Sequence, residues 1–265
     1  MTYSAADGLR PMLGRLRLRS HLRLEDEEAL VALPHRLSAL DPGTYIVREG
    51  DRAEECCVLL SGFVYRHKVV ADGARQILSV HFDGDVIDLQ NSLLRRADHS
   101  IQALTRAQVA LVPRQAILDL CERRPAIAHA LWVETLVDAS ISREWIANVG
   151  RRSARQRIAH LLCELALRQE SIGLCRRPSC LWPMTQEQVG DATGLTSVHV
   201  NRILQGLRAD RLISTAKRTV TILDRTDLQD EGDFDPAYLH LARKIARVET
   251  KGQDPHYGLA MADHY

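Results

Sequence analysis

The segment between residues 184 and 213 limits the fold of this chain more than any other part of the sequence. Thr185 is followed three residues later by Gln188, the pattern of a capping box at the start of a short helix. Gly194 can adopt a turn conformation that other residues disfavour, and Thr196 can cap a second helix. A small residue, a glycine four positions later, a Leu and then spaced apolar residues are the register of a helix-turn-helix.

The residues after the second helix predict a β-hairpin. The β-prone runs 212–214 and 220–223 are separated by a short segment that contains Lys217 and Arg218. This pattern predicts a two-stranded wing with a cationic tip. A winged helix-turn-helix places its second helix in the major groove of double-stranded DNA, so the segment predicts DNA binding.

Positive charge is concentrated in the same region. The whole chain carries 35 Lys and Arg against 34 Asp and Glu, a net charge of +1. Residues 151–223 alone hold 12 basic and 5 acidic residues, whereas 1–150 and 224–265 are both net negative. A cationic segment favours a polyanionic partner because Lys and Arg release counterions from phosphates, although a solvated basic face is the alternative.

Nothing in the sequence predicts a membrane partner. No run approaches the roughly 18 apolar residues of a membrane-spanning helix, and the first residues lack the apolar core of a signal peptide. We therefore expect a cytoplasmic protein.

A β-rich region precedes the DNA-binding segment. Between residues 40 and 113, turn signals recur at short intervals and are separated by short β-prone runs. Such spacing is typical of a small antiparallel barrel or jelly roll. The turn glycines are Gly43, Gly50, Gly62, Gly73 and Gly84.

Residues 125–149 then follow helical periodicity up to Gly150, which we expect to end the helix. Trp132, Leu136, Ala139 and Ile146 fall at steps of four, three and seven, the seam spacing of a helix that packs on another helix. We expect this stripe to form a dimer interface, since it would leave a monomer with a wide apolar surface. The alternative is a helix that only covers its own domain.

The cysteines predict neither a metal site nor a disulfide framework. The chain has six, and most of them lie far apart in a chain that is large enough to form a core without crosslinks. Cys175 and Cys180 are separated by four residues rather than by the two that are common in zinc knuckles. We therefore expect reduced thiols and no bound metal.

The order of these elements resembles the Crp/Fnr family of bacterial transcription regulators, and segment 185–204 is similar to that family's signature in register and length. Segment 234–241 looks like the tails of alphaproteobacterial, FixK-like members. The resemblance implies an α+β fold: an N-terminal cyclic-nucleotide-binding-like β-roll (jelly roll) with N-terminal helices, a long dimerisation helix and a C-terminal winged helix-turn-helix. The expected boundaries are 1–124, 125–150 and 151–223, followed by a C-terminal extension, 224–265.

The same resemblance implies a function. It predicts a transcription regulator rather than an enzyme, which binds an inverted-repeat operator in double-stranded DNA as a homodimer and contacts RNA polymerase. A small-ligand-binding β-barrel enzyme is the alternative from another class, but such a metal site needs converging histidines and the sequence has no His-x-His pair.

The family's DNA-reading positions can be carried over one by one. Arg202 takes the place of the Arg that pairs with guanine, and Asn201 beside it can pair with adenine. Ser197 and Val198 replace an Arg and a Glu of many members, so we expect an operator that departs from the usual TTGA-type half-site, with His199 as a replacement contact. Further contacts are expected from Thr196, Lys217 and Arg218.

The effector domain departs from the cyclic-nucleotide binders of the family. Alignment on Gly84 and Asp85 puts Leu89 where those members hold the ribose with Glu, and His99 and Ser100 where an Arg-Ser pair holds the cyclic phosphate. Leu cannot accept a hydrogen bond and His is a poor substitute for a bidentate Arg. We therefore expect no binding of cyclic AMP, and either control by abundance, as in FixK-like members, or another signal.

No cofactor is expected, although haem remains an alternative. Iron–sulfur members of the family carry clustered cysteines near the N-terminus, and no cysteine precedes Cys56 here. A haem- or redox-sensing member of the same family is the second reading, with His67, His81 or His99 as a ligand.

Overall fold

The computed structural model describes residues 8–52, 54–175 and 177–241. The first seven residues of the predicted N-terminal domain and residues 242–265 of the predicted extension lie outside this part. The described chain combines helices with antiparallel sheets, which confirms the α+β class.

Two short helices and a seven-stranded β-roll form the N-terminal half. All turn glycines predicted from the sequence have φ between 85° and 96°, where a residue with a side chain would be strained. The elements are α1 (Arg10–Leu16), α2 (Leu24–Val31), β1 (Arg36–Leu40), β2 (Tyr45–Val47), β3 (Glu55–Ser61), β4 (Val64–Val69), β5 (Arg75–His81), a 3-10 turn (Leu89–Ser92), β6 (Ser100–Ala103) and β7 (Ala107–Pro113).

The roll is built from two facing sheets. Their strand orders are β1-β7-β3 and β2-β6-β4-β5, antiparallel throughout. Side chains such as Leu59, Val64 and Ile101 are buried between the sheets, while α1 and α2 pack on the outer face of the first sheet.

Helix α3 (Arg114–Arg123) leads into the long helix α4 (Pro125–Arg151). The expectation that Gly150 ends this helix is wrong by one residue, since Gly150 lies inside the last turn and Arg152 is the C-cap. A single glycine costs a helix only about 1 kcal/mol, too little to break it where packing holds both sides.

The winged unit contains α5 (Ala154–Ser171), β8 (Ser179–Leu181), α6 (Gln186–Thr193), α7 (Ser197–Ala209), β9 (Ile213–Ala216) and β10 (Thr219–Ile222). The predicted wing hairpin is β9 and β10. Strand β8 was not predicted; it pairs with β10 and makes the sheet three-stranded, in the order β8-β10-β9. Its three residues are too few to show a period, so the sequence indicated only a loop there.

The beginning of the predicted C-terminal extension is part of the folded unit. Helix α8 (Arg225–Glu231) and a 3-10 turn (Pro236–Leu239) pack against α5 and α4. Leu228 and Leu239 are fully buried, and the Tyr238 hydroxyl donates to a Glu164 carboxylate oxygen at 2.8 Å. Residues 224–241 therefore cover the core rather than trail from it.

The β-roll and the winged unit share one hydrophobic cluster. Tyr65 and Phe82 of the roll lie in the same buried group as Val189 and Ala192 of α6. At the edge of this contact, Arg75 Nη2 of β5 lies 2.6 Å from Asp191 Oδ2 of α6. The two halves thus pack directly on each other within one protomer.

The expectation of reduced cysteines is wrong for one pair. The loop after α5 folds back so that the Cα atoms of Cys175 and Cys180 lie 4.8 Å apart, and a disulfide joins the two residues. The sequence spacing argued only against a metal knuckle and said nothing about this return of the chain.

A pair of glycine substitutions tests the helix-turn-helix geometry. A Cβ at Gly190 would lie 2.4 Å from the carbonyl oxygen of Leu195, so Gly190→Ala should force the turn open and cost roughly 1–3 kcal/mol of unfolding free energy. Gly150→Ala, where nothing lies within 4 Å of the added carbon, should leave stability unchanged or slightly raised. Chemical denaturation measures both. Equal stability of the two variants would contradict the close approach at Gly190.

Candidate DNA interface and effector cavity

The local hydrogen bonds of the helix-turn-helix are those that its sequence predicts. Thr185 Oγ1 accepts from the backbone N–H of Gln188 at 3.2 Å, and Gln188 Oε1 accepts from the N–H of Thr185 at 2.8 Å. Gly194 has a φ of 68°, in the left-handed region. Thr196 Oγ1 accepts from the N–H of His199 at 3.3 Å and so caps α7. These caps fix where each helix begins and the angle at which α7 leaves the turn.

Helix α7 is amphipathic, with Val198 as an exposed apolar residue at its start. Its inner face is buried in the core of the winged unit and consists of Val200, Ile203, Leu204 and Leu207. On its outer face, Arg202 and His199 are exposed, Val198 is 71% exposed and Asn201 is half-buried. Together with the exposed Thr196 and Ser197, every residue of α7 predicted to read DNA therefore lies on or beside the solvent face.

The wing presents the other two predicted contacts. Lys217 turns the hairpin with a φ of 52°, and both Lys217 and Arg218 are exposed. The backbone of Arg218 is fixed by a hydrogen bond, in which its carbonyl accepts from the N–H of Trp182 at 2.8 Å. Within the described part of the chain, Arg202, Lys217 and Arg218 make no ion pair.

Several other arginines of residues 151–223 form ion pairs or hydrogen bonds within the protomer. Arg155 pairs with Asp210 and Glu231, and Arg157 donates to the carbonyls of Arg152 and Thr193. Further ion pairs are Arg152 with Glu144 and Asp233, Arg168 with Asp85 and Glu164, and Arg177 with Glu170. Residues 151–223 carry 12 basic and 5 acidic residues, a net charge of +7, and this value therefore overstates the cationic surface that is available to a polyanion.

Helix α4 has two apolar faces. Val137, Ile141 and Trp145 are buried against the protomer's own chain. On the other side, Trp132 is 63%, Leu136 53% and Ile146 71% exposed, with the half-buried Ala139 between them. These four residues are the predicted seam, and they form one stripe that the protomer leaves uncovered.

A small cavity lies between the roll and α4, beside Gly84, Asp85 and Leu89 of the segment that the resemblance aligns with the cyclic-nucleotide cassette. Its volume is about 60 Å³, well below the roughly 300–1,000 Å³ of small-molecule sites. Leu89 lines it, as predicted for the ribose position. Arg66 and Asp138 line it too, and they form an ion pair across it from β4 to α4. Arg66 also donates to the carbonyl of Ile87.

The wall of this cavity is a buried ionic network. Asp85 Oδ1 lies 3.0 Å from Arg15 Nε, and Asp85 Oδ2 lies 3.4 Å from Arg168 Nη2 and 3.2 Å from His81 Nδ1. Burial raises the pKa of Asp85, but the two guanidinium groups and His81 outweigh burial and hold the pKa below its usual value. Burial lowers the pKa of His81, with a further contribution from Arg66. Asp85 is thus an ionised carboxylate that joins α1, the roll and α5.

The other two predicted effector residues do not line the cavity. His99 Nδ1 lies 2.7 Å from Asp98 Oδ1, and Ser100 Oγ accepts from the N–H of Glu49 at 3.0 Å. The pairing of Arg66 with Asp138 was missed by sequence reasoning, because the two residues are 72 positions apart and neither lies in a motif.

The three histidines proposed as haem ligands do not form a cluster. His81 is held by Asp85 and Ser79, His99 by Asp98, and His67 is buried against the rings of Tyr45 and Tyr65. Burial is the main cause that lowers the pKa of each histidine. Within the described residues, the one group with three possible ligand atoms within 4.8 Å is Glu170, Cys175 and Cys180. That group lies in the winged unit.

None of the described helices is both long enough and apolar enough to cross a membrane.

Two known domain families match this chain. Residues 37–124 match the cyclic nucleotide-binding domain, and residues 156–231 match the Crp-like helix-turn-helix domain. The second match continues through α8, which agrees with the packing of that helix on α5.

Known regulators are similar to this chain over two thirds or more of its length. The transcriptional activator protein FnrL of Cereibacter sphaeroides is 25% identical over 73% of this chain and 79% of its own length. The nitrogen fixation regulation protein FixK of Azorhizobium caulinodans is 28% identical over 67% of this chain and 71% of its own. The solved structure of FixK2 from Bradyrhizobium japonicum superposes with a TM-score of 0.69 at 25% identity, over 75% of this chain and 97% of that one.

Proposed function

Because this chain belongs to the Crp/Fnr family of DNA-binding transcription regulators, we propose that it binds an inverted-repeat operator in double-stranded DNA as a homodimer. The observation that carries this proposal is the exposed polar face of α7, with an unpaired Arg202 at its centre and the cationic wing tip beside it. It acts as a regulator in the cytoplasm that contacts RNA polymerase, and not as an enzyme.

In this proposal, base reading and phosphate contact are divided between two elements. The planar fork of Arg202 suits the O6 and N7 acceptors of guanine, and Asn201 suits adenine. Ser197, Val198 and His199 lie at the exposed start of α7, where recognition helices contact base edges. Lys217 and Arg218 on the wing, and Thr196 at the cap, contact the backbone and set the register of the protein on DNA.

The homodimer is supported by the uncovered stripe of α4. A two-fold axis along this helix buries Trp132, Leu136, Ala139 and Ile146 against their copies, as an isologous interface requires. It also presents two recognition helices to successive major grooves, roughly 34 Å apart on DNA.

We propose that no cyclic nucleotide controls this protein. The cyclic phosphate would enter a site in which the guanidinium of Arg66 is already paired with Asp138, and its charge would be buried without a partner. The Arg66 to Asp138 ion pair links the roll to α4 in the place where an effector would bridge them. DNA binding therefore does not depend on a cyclic nucleotide, and either the abundance of the protein or another signal sets the response.

Replacing the recognition and wing cations should give different phenotypes. Arg202→Ala should cost roughly 1–3 kcal/mol on the operator and relax the preference at one guanine, because a base contact is lost. Lys217→Ala should weaken all sequences alike and reduce the salt slope by about 1, because a phosphate contact is lost. Fluorescence anisotropy with operator and scrambled duplexes at several salt concentrations measures both. If Arg202→Ala weakens the two duplexes equally, Arg202 contacts phosphate and not a base.

Replacing Leu136 tests the dimer. Leu136→Asp places a charge in the middle of the stripe and should give monomers that lose specific DNA binding, as measured by analytical ultracentrifugation and anisotropy. Leu94→Asp, at a leucine of the roll that is 57% exposed against 53% for Leu136, is the matched control and should remain a dimer. A Leu136→Asp monomer that binds the operator at wild-type affinity would disprove the dimeric mode.

Calorimetry tests the effector proposal. Titration with cyclic AMP and with cyclic GMP should give no heat of binding at millimolar ligand and no change in operator affinity, for the electrostatic reason given above. Micromolar affinity for either nucleotide, lost on Ser100→Ala or His99→Ala, would show that the family's cassette works here with different residues.

A further inference from the structure

The crosslinked pair Cys175 and Cys180 connects two parts of the winged unit. Cys175 lies half-buried in the loop that follows α5, and Cys180 is the buried middle residue of β8. Their Cα atoms are 4.8 Å apart, within the range of about 4.4–6.8 Å usual for disulfides. The backbone therefore holds the two cysteines within the distance that a disulfide spans.

The other described cysteines are poor sites for thiol chemistry. Cys56, Cys57 and Cys163 are buried, and burial raises the pKa of all three thiols, that of Cys163 to about 12. Burial also raises the pKa of the half-buried Cys121. Because the thiolate is the reactive form, these residues exchange slowly at neutral pH.

Glu170 lies next to the sulfur pair but is engaged elsewhere. Arg177 Nε lies 3.0 Å from its Oε2, and Arg225 pairs with its Oε1. Two cations thus hold both carboxylate oxygens, which leaves two sulfur ligands where structural zinc usually takes four protein ligands. The surroundings favour sulfur–sulfur chemistry over cation binding.

Strand β8 supports the wing that carries the proposed phosphate contacts. Cys180 lies opposite Val220 of β10, and the N–H of Ile222 donates to the carbonyl of Pro178 at 3.0 Å. At the far end, the N–H of Trp182 donates to the carbonyl of Arg218 at 2.8 Å. The crosslink therefore anchors the strand from which the wing tip is held.

We propose that Cys175 and Cys180 are a reversible thiol–disulfide site for small thiols and disulfides, and that the oxidised form binds DNA more tightly than the reduced form. The second half of this proposal rests on the proposed DNA-binding function.

The route of exchange follows from the difference in burial, since Cys175 is half-buried and Cys180 is buried. In reduction, the thiolate of a small thiol attacks the half-buried Cys175 Sγ, the bond to Cys180 breaks, and Cys180 leaves as a thiolate that takes up a proton. A second small thiol attacks the mixed disulfide and releases the Cys175 thiol. One protein disulfide and two small thiols thus give two protein thiols and one small disulfide, and oxidation is the reverse.

The expected effect on affinity is moderate. The crosslink limits the freedom of the loop and of β8, and so pre-organises the wing. Reduction does not release β8 entirely, because the Gln169 amide donates to the carbonyl of Leu181 at 3.0 Å and accepts from its N–H at 3.1 Å. We expect the reduced protein to bind the operator about five-fold more weakly, as partial loss of pre-organisation implies.

The test compares oxidised and reduced full-length protein on an operator fragment selected from genomic DNA. Oxidised glutathione and dithiothreitol set the two states, thiol alkylation with mass spectrometry locates the disulfide, and anisotropy gives the affinities. Cys175→Ser and Cys180→Ser should bind like the reduced protein under both conditions. Cys163→Ser, which removes a buried thiol of α5, should keep the difference of about five-fold.

The outcomes separate this proposal from the function on which it rests. Equal affinity of the two states, tighter binding by the reduced state, or no Cys175–Cys180 disulfide after treatment with oxidised glutathione would overturn it. Circular dichroism checks that the variants are folded. If Cys180→Ser is unfolded, the affinity of Cys175→Ser, at the half-buried loop position, decides whether the disulfide tightens DNA binding. Failure of every form to prefer any fragment over random DNA would instead overturn the proposed DNA binding, while alkylation would still decide whether the pair cycles.

Discussion

The buried carboxylate of Asp85 is the interaction on which the arrangement of the domains depends. Its oxygens lie within 3.4 Å of nitrogens of Arg15 in α1, Arg168 in α5 and His81 at the end of β5. Loss of one partner from such a buried network is costly, because the remaining charges stay in the interior without compensation. Helices α1 and α5, which are distant in sequence, are therefore fixed to one point of the β-roll, and residues of α4 line the same cavity.

A second buried carboxylate, that of Glu164, connects α4, α5 and the segment that contains Tyr238. Glu164 is fully buried and accepts from the indole of Trp145, the hydroxyl of Tyr238 and the guanidinium of Arg168. Since Arg168 contacts both Asp85 and Glu164, the two networks are continuous. The winged unit is consequently held on the roll by charge as well as by the shared apolar cluster, with Arg75 and Asp191 closing the edge.

The sequence predicted those features that depend on neighbouring residues. The capping box at Thr185, the left-handed Gly194 and the turn glycines of the roll are local patterns, and each appears in the structure. The apolar stripe of α4 is local as well and is exposed, while its role as a dimer interface stays a prediction. Features that depend on distant residues were missed. The contact of Arg66 with Asp138, the return of Cys175 to Cys180 and the burial of the tail under Tyr238 arise only when the chain has folded. The net charge of residues 151–223 overestimated the cationic surface for the same reason, since the sequence does not reveal which arginines form ion pairs in the fold.

The neutralisation of so many arginines has a consequence for how this protein would distribute itself in a cell. Affinity for arbitrary DNA comes from contacts with phosphates, and the genome offers a very large excess of such sites. A winged unit whose Arg152, Arg155 and Arg168 pair with carboxylates of the same protomer keeps fewer cations for this background binding. Less of the protein is then held on unrelated sequences, and a larger share of it is free to bind a specific site.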